Sequence, residues 1–303
     1  MFISVVVCTY NRDKHIKRAL DSLINQDFDT SAYEIIVVDN NSTDNTSEII
    51  HQFKKDNPNH NITLAKETNQ GLSFARNKGI ELAKGQYVSF IDDDGIAQAD
   101  YISKIKFYTD KYPEILAFGG KVLAKYETGI EPEWMSKYIE RIISIVDMGE
   151  DVKLFKNTYP VGCNMIFKKE IFDKLGGFNT QLRLRSDDKY IFLKIMNAGY
   201  KVLYLPKVVV QHFIDDFRTK KEYIVRVSKL NGKAENIRIN SLPNKKNINY
   251  IKRLTDYLFK VSASLILWLI YTFKGQSIKG KMLFTSLWYQ LVGFVFPNRI
   301  DEY

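Results

Sequence analysis

Tyr87-Val88-Ser89-Phe90-Ile91-Asp92-Asp93-Asp94-Gly95 sets three carboxylates directly after a short apolar strand. Neighbouring carboxylates at a strand end repel one another unless a cation neutralises them. Hard divalent cations such as Mg²⁺ and Mn²⁺ take oxygen ligands and commonly share them with substrate phosphates. Asp92 and Asp94 are two residues apart, so on a continuing strand they point the same way. A solvated acidic turn is the plainer reading of such a run on its own. The rest of the chain weighs against it.

Upstream, strand and helix patterns alternate. Ile3–Cys8 is an apolar strand, broken by Tyr10-Asn11-Arg12, and Ile16, Ala19, Leu20 and Leu23 recur at helical spacing within residues 13–26. Glu34–Asp39 reads as a second strand. Asn40-Asn41-Ser42-Thr43-Asp44 then offers N-caps for a helix over 44–54. Residues 62–65, 71–84 and 86–91 read as strand, helix and strand. This rhythm predicts a mostly parallel sheet with helices on its faces. Ligands in such folds sit at the carboxyl ends of the strands, where Thr9, Tyr10, Asn11, Asp39 and Asp92 to Asp94 all fall.

Beyond residue 115 the pattern is mixed. Residues 115–125 and 161–168 read as strands, 171–175 as a short helix ending at Gly176-Gly177, and 187–198 as a helix stopped by Gly199. Residues 201–205 and 208–212 read as two further short strands. After 215 the character is helical, with 244–249 as a polar linker. Two apolar stretches, Val261–Phe273 and Met282–Phe296, are 13 and 15 residues long. Both fall short of the roughly 20 residues a spanning helix needs. Either they pack on a core, or they lie in a membrane surface with Lys252, Arg253, Lys260, Lys274, Lys279 and Lys281 toward anionic headgroups. Trp268, Tyr271, Trp288 and Tyr289 suit an interfacial belt.

The charge distribution favours the surface reading. Residues 1–214 hold 28 Lys+Arg and 28 Asp+Glu, whereas residues 215–303 hold 16 Lys+Arg against 7 Asp+Glu. The whole excess of +9 therefore lies in the last 89 residues. Basic residues there alternate with long apolar runs, which favours a membrane over a nucleic acid as partner. Cys8 and Cys163 are the only cysteines of 303 residues, and both sit in apolar strand contexts. That points to a reduced, cytosolic compartment. The N-terminus opens at once on a strand without a basic n-region, so no signal peptide is expected.

Taken in order, the segments resemble the inverting family 2 glycosyltransferases with the GT-A fold. The resemblance is carried by Ser4–Arg12, Glu34–Asp44, Asn69–Gly79, Phe90–Asp94, Gly162-Cys163-Asn164-Met165, Gly176-Gly177-Phe178-Asn179, Asp187-Asp188 and Gly199-Tyr200. It spans about residues 1–214 and implies a Rossmann-like, nucleotide-binding mixed α/β sheet flanked by helices. Residues 215–303 would follow as a basic helical region suited to a membrane surface.

The resemblance also implies roles. Thr9, Tyr10, Asn11, Arg12, Asp39, Asn41, Asn69, Gly71, Arg76, Asp92 and Asp93 would meet the donor nucleotide. In the family the residue matching Asp39 contacts uracil, which favours a UDP-sugar. Arg76 could meet the diphosphate as a fork of donors. Asp92 and Asp94 match the DxD pattern, with Asp94, Asp92 and His212 around a divalent metal, Mn²⁺ or Mg²⁺, that stabilises the leaving nucleotide diphosphate. Inversion needs a base opposite the leaving group. The family uses a Glu-Asp pair there; this chain has Asp187-Asp188, with Asp188 the expected base. The acceptor would be a lipid-linked or surface-polysaccharide glycan, handled at the cytoplasmic face of the cell membrane. Trp134 is a candidate for shaping the acceptor site, and Gly162 to Asn164 with Arg183 to Asp188 for setting sugar specificity. A nucleotidyltransferase would need a glycine-rich loop after the first strand, where Thr9-Tyr10-Asn11-Arg12 stands. A dinucleotide-binding dehydrogenase is disfavoured by the missing Gly-x-Gly-x-x-Gly. A non-catalytic nucleotide-sugar binder is opposed by the intact Asp92/Asp94 and Asp187/Asp188 pairs.

Overall fold

The computed structural model describes residues 1–156, 158–182, 185–241 and 246–300. The chain divides into two compact units. The first comprises residues 1–125, 144–183 and 187–213, and the second 126–143, 184–186 and 214–303.

The first unit opens with β1 (Ile3–Thr9), α1 (Ile16–Ile24), β2 (Tyr33–Asp39), α2 (Thr46–Asp56), β3 (Ile62–Lys66), α3 (Leu72–Leu82) and β4 (Tyr87–Asp92). It continues with β5 (Gly95–Ala97), α4 (Tyr101–Lys111), β6 (Ala117–Tyr126), β7 (Lys153–Leu154), β8 (Met165–Lys168), α5 (Glu170–Leu175), α6 (Asp187–Asn197) and β9 (Val202–Ile214). Every residue of β1 and β2 is buried. Strands covered on both faces read as continuous apolar runs, which is why Ser4-Val5-Val6-Val7 carries no alternation. Helix α1 buries the four residues the spacing singled out, Ile16, Ala19, Leu20 and Leu23.

The sheet order is β3-β2-β1-β4-β8-β6-β9-β5, with β7 added on β9. Strands β3, β2, β1 and β4 run parallel; β8 pairs antiparallel with both β4 and β6. The chain winds outward from β1 to β3 and then returns to the other side of β1 as β4. That reversal opens a crevice at the carboxyl ends of the strands. The register brings Thr9 opposite Asp39 and Cys8 opposite Asp92, so three loops converge at one edge.

Several elements depart from the sequence reading. The strand expected over 161–168 starts only at Met165. Before it, the Asn164 amide donates to the carbonyls of Lys121 and Val208, both at 3.0 Å, and accepts from the Tyr101 hydroxyl at 3.1 Å. These bonds hold the backbone in a turn. The two short strands at 201–212 are one strand, β9, with Pro206 inside it. The three-residue β5 pairs antiparallel with β9 and is too short to show a period. Residues 246–249, expected as linker, begin helix α8, and 244–245 lie outside the described residues.

Beneath the sheet, Phe90, Phe167, Phe172, Phe178 and Phe192 form an aromatic cluster with ring centroids 5.1–6.4 Å apart. Edge-on and stacked aromatic pairs add to the stabilisation from their buried area.

The second unit is helical: α7 (Lys221–Asn240), α8 (Lys246–Phe273) and α9 (Ser277–Val295), with the 126–143 segment. Helices α7 and α9 touch backbone to backbone. A Cβ on Gly232 would sit 2.0 Å from the Gln290 carbonyl oxygen, and one on Gly293 2.0 Å from that of Lys229. Only glycine permits that approach. Buried Glu235 on α7 binds Arg238 at 2.8 Å and Arg253 of α8 at 3.0 Å. Helix α8 keeps one face open: Leu258, Phe259, Leu265, Ile266, Leu269, Ile270 and Phe273 are all exposed. The sequence reading took its apolar part as 13 residues. The observed helix runs unbroken over Asn247–Phe273 and is long and apolar enough to cross a membrane.

Phe167→Ala empties the centre of the aromatic cluster. Its expected cost is about 3–5 kcal/mol of unfolding free energy, read as a lower midpoint in urea denaturation.

Candidate active site

The loops after β1 and β2 are laced together by side chains. The Asn11 amide N–H donates to Ser42 Oγ at 3.0 Å, and Asn11 Oδ1 accepts from the Thr43 N–H at 2.8 Å. The Arg12 N–H donates to Thr46 Oγ1 at 2.7 Å. Asn11 and Asn41 adopt φ of 53° and 65°, a left-handed conformation that asparagine tolerates better than most residues. Asp39 is buried, and its Oδ1 accepts from the Ser42 N–H at 2.9 Å. Tyr10 projects from this loop pair, 38% exposed.

Asn40 is a residue the sequence reading assigned no role. Its amide donates to the carbonyls of Glu67 and Asn69 at 3.0 and 2.7 Å, and its oxygen accepts from the Gly71 N–H at 2.8 Å. One side chain thus fixes the whole turn leading into α3. Asn69 is engaged locally, with its N–H and side-chain amide both on Glu67 Oε1.

Helix α3 then organises the far side. Ser73 Oγ donates to the Leu182 carbonyl at 2.6 Å. Asn77 bonds both the N–H and the carbonyl of Phe178, at 2.8 and 3.0 Å. Between them Arg76 reaches inward, 2% exposed. Its guanidinium binds the Asp187 carboxylate and, at 3.1 Å, Asp92 Oδ1. Gly162 gives it room, since a Cβ there would lie 2.4 Å from the Arg76 Nη2. Two of the Arg76 N–H donors are thus engaged by carboxylates. Burial alone would pull its pKa down, and Asp187, Asp92 and their neighbours overcome that and hold it up. For Asp92 the balance goes the other way: burial, helped by Asp94, raises its pKa against the pull of Arg76. Cys8 and Cys163 are free and buried, and burial pushes both thiols up.

Strand β4 ends at Asp92, so Asp92 and Asp94 do not continue one strand face as the spacing suggested. Asp92 turns to Arg76. Asp94 turns to His212, its Oδ1 lying 3.1 Å from Nε2, with both side chains about 95% buried. The pairing follows from sheet register, because Gly95 of β5 stands opposite His212 of β9. Arg12 closes the other side, 3.4 Å from Asp93 and 3.8 Å from Asp94. Burial pushes the Asp93 carboxyl up to about 7.

Among the described residues no three His, Cys, Asp or Glu side chains form a group able to hold a metal ion alone. The expected set of Asp92, Asp94 and His212 is therefore split, with Asp92 drawn away by Arg76. What remains is a carboxylate oxygen and an imidazole nitrogen, buried side by side. That donor pair fits a divalent cation whose remaining ligands come from substrate phosphate and water.

Asp188 begins α6 beside Asp187 and is half-buried; its Oδ2 accepts from the Gly162 N–H at 3.1 Å. Gly162 therefore touches both Arg76 and Asp188. Ser186 enters the helix at φ 64°. Of the expected specificity segment, Arg183 and Leu184 lie outside the described residues. Trp134 belongs to the second unit, where its indole donates to the Thr219 carbonyl at 3.0 Å.

A mixed sheet with flanking helices, and with carboxylates gathered at the switch between β1 and β4, defines a GT-A protein. Residues 4–176 match glycosyl transferase family 2, and the chain belongs to that family. It is 26% identical over 237 residues to the glucosyl-dolichyl phosphate glucuronosyltransferase of Haloferax volcanii, covering 74% of this chain and 73% of that one. The match spans 29–73% of the length of the first four curated relatives. Among solved structures, the fold is shared with the mannosyltransferase PcManGT of Pyrobaculum calidifontis in complex with GDP-Man and Mn²⁺. There the TM-score is 0.70 and the identity 21%, over 99% of this chain and 88% of that one. It is shared also with S. aureus TarS 1–349 in complex with UDP, at TM-score 0.53 and 15% identity over 100% and 93% of the two chains.

Arg76→Met strands Asp187 as a buried, unpaired charge and should cost about 3–5 kcal/mol. Removing both charges in Arg76→Met/Asp187→Leu should recover most of that. Urea denaturation of the three proteins checks it; equal losses in the single and double variants would contradict the pairing.

Proposed function

We propose that this chain is an inverting glycosyltransferase. It moves a sugar from a UDP-linked donor to a hydroxyl of a lipid-linked or surface-polysaccharide acceptor, at the cytoplasmic face of the cell membrane. The observation that carries the reading is the set of carboxylates gathered after β4 and at the start of α6, with Arg76, Arg12 and His212 against them. The uridine stacks on exposed Tyr10, and Asp39 accepts from a base N–H with the oxygen not used by Ser42. Asn40, Asn41, Asn69 and Gly71 shape the wall of this pocket, and Asp92 meets the ribose. Asp94 and His212 would hold a divalent cation, which supplies charge neutralisation to the diphosphate as it leaves. Arg12 faces the same phosphates beside Asp93.

The base is Asp188. Asp187 is occupied by the Arg76 guanidinium, whereas Asp188 is half-buried and oriented by the Gly162 N–H. Asp188 takes the proton of the acceptor hydroxyl while that oxygen bonds to the anomeric carbon from the face opposite the nucleotide. The bond to the diphosphate oxygen breaks in the same step, with inversion. Arg76 is a positioning residue: it fixes the Asp92 and Asp187 carboxylates relative to each other.

A UDP donor is supported by the fold shared with TarS in complex with UDP, and a lipid-phosphate acceptor by the name of the Haloferax relative. The open apolar face of α8, among the basic residues of the C-terminal region, supports docking on an anionic bilayer.

Nucleotide release from a panel of UDP- and GDP-sugars, with Mn²⁺, Mg²⁺ or EDTA, tests the chemistry. We expect turnover with a UDP-sugar, lost with EDTA and in Asp94→Ala. In Asp188→Asn, kcat should fall by about 10²–10⁴ with donor KM little changed. An Asp188→Asn enzyme of undiminished kcat would remove the base assignment. Flotation with phosphatidylglycerol vesicles tests the membrane reading: Leu269→Glu/Phe273→Glu should leave the vesicle fraction while keeping nucleotide release. Equal flotation by the variant would sink it.

A further inference from the structure

Helix α7 carries Lys221, Glu222, Val225, Arg226 and Lys229 along one face, and with Arg299 and Ile300 they line an open cleft of about 430 Å³. That volume lies within the range of roughly 300–1,000 Å³ found for small-ligand sites. Four cationic side chains and one carboxylate line it. Some cations of the same helical unit are matched to carboxylates: Arg238 and Arg253 to Glu235, Lys260 to Asp256, Lys220 to Asp216. Lys229 stands over the ring of Tyr289 at 5.1 Å and Arg299 over that of Phe296 at 5.2 Å. Among the described residues none of the four cations forms an ion pair. Like charges gathered around a concave surface repel one another and focus a positive potential into it. A bound anion removes that repulsion.

We propose that this cleft is a binding site for a phosphate or diphosphate group. Arginine forks and lysine ammonium groups are the donors such a group takes. Val225 and Ile300 add an apolar wall, which suits a phosphate carried on a hydrocarbon as well as a free one. The site shares no residue with the donor pocket and does not depend on the reading of that pocket.

The test uses the full chain and three proteins: wild type, Arg226→Gln/Arg299→Gln, and a charge-matched control on α2, Lys54→Gln/Lys55→Gln. Each is titrated with inorganic pyrophosphate in metal-free buffer. Each is then mixed with phosphatidylcholine vesicles, with and without phosphatidylglycerol. Titration with UDP and Mn²⁺ reports the donor pocket separately, and circular dichroism reports folding. We expect the cleft variant to bind at least one anionic probe about tenfold more weakly than wild type. The control should be unchanged, and the UDP response equal in all three. Weakening toward pyrophosphate identifies a soluble phosphate ligand. Weakening toward phosphatidylglycerol alone identifies a lipid headgroup. A wild type that binds neither probe, or equal binding by the cleft and control variants, would overturn the proposal.

Discussion

Arg76 is a permanent cation with 2% of its surface exposed. A buried charge is tolerated only when partners replace the water it has lost. Here the partners are Asp92 at the end of β4 and Asp187 at the start of α6, more than ninety residues apart in the chain. Much else follows from that bridge. Gly162 has no side chain because the guanidinium passes through the space one would fill. Asp188, next to Asp187, is thereby held against the Gly162 N–H. Ser73 and Asn77 on either side of Arg76 fasten the 178–182 segment that leads into α6. Helix α3 thus brings Asp92 and Asp187 together through Arg76.

The second constraint is sheet register. Asp94 and His212 meet because β5 and β9 pair with Gly95 opposite His212. A slip of one residue would turn the imidazole to the other face. The same edge of the sheet presents Thr9, Asp39 and Asp92, so one topological reversal gathers the loops after β1 and β2 and the acidic cluster alike. Three basic side chains surround the three successive aspartates. Each meets a different set of partners: Asp92 meets Arg76, Asp93 meets Arg12, and Asp94 meets both Arg12 and His212.

In the helical unit the glycine contact between α7 and α9 plays the corresponding structural part. Gly232 and Gly293 bring two backbones together, and the Ser228 and Ser286 hydroxyls bond at 3.0 Å within the same contact. Helix α8 is tied on by Arg253 and Glu235 near its start, while its second half leaves large apolar side chains in the open. The unit is thus packed on one side and carries an open apolar face on the other.

Much of this was legible in the chain itself. Apolar runs in β1 and β2, the helical spacing of α1 and the position of the aspartates after β4 follow from local periodicity, which sequence carries directly. So did the family and the fold it implies. Residues whose meaning depends on distant partners were not legible. Nothing local to Arg76 shows that Asp187 will reach it. Asn40 looked like a turn residue, although its side chain organises a loop some thirty positions downstream. The polar stretch at 246–249 looked like linker, yet helix α8 extends through it, because a helix can start on polar residues when its later turns are packed. Sequence determined which chemical groups stand at the strand ends. Only the tertiary structure decided which of them neutralise one another, because the pairing of buried charges is set by sheet register and helix packing.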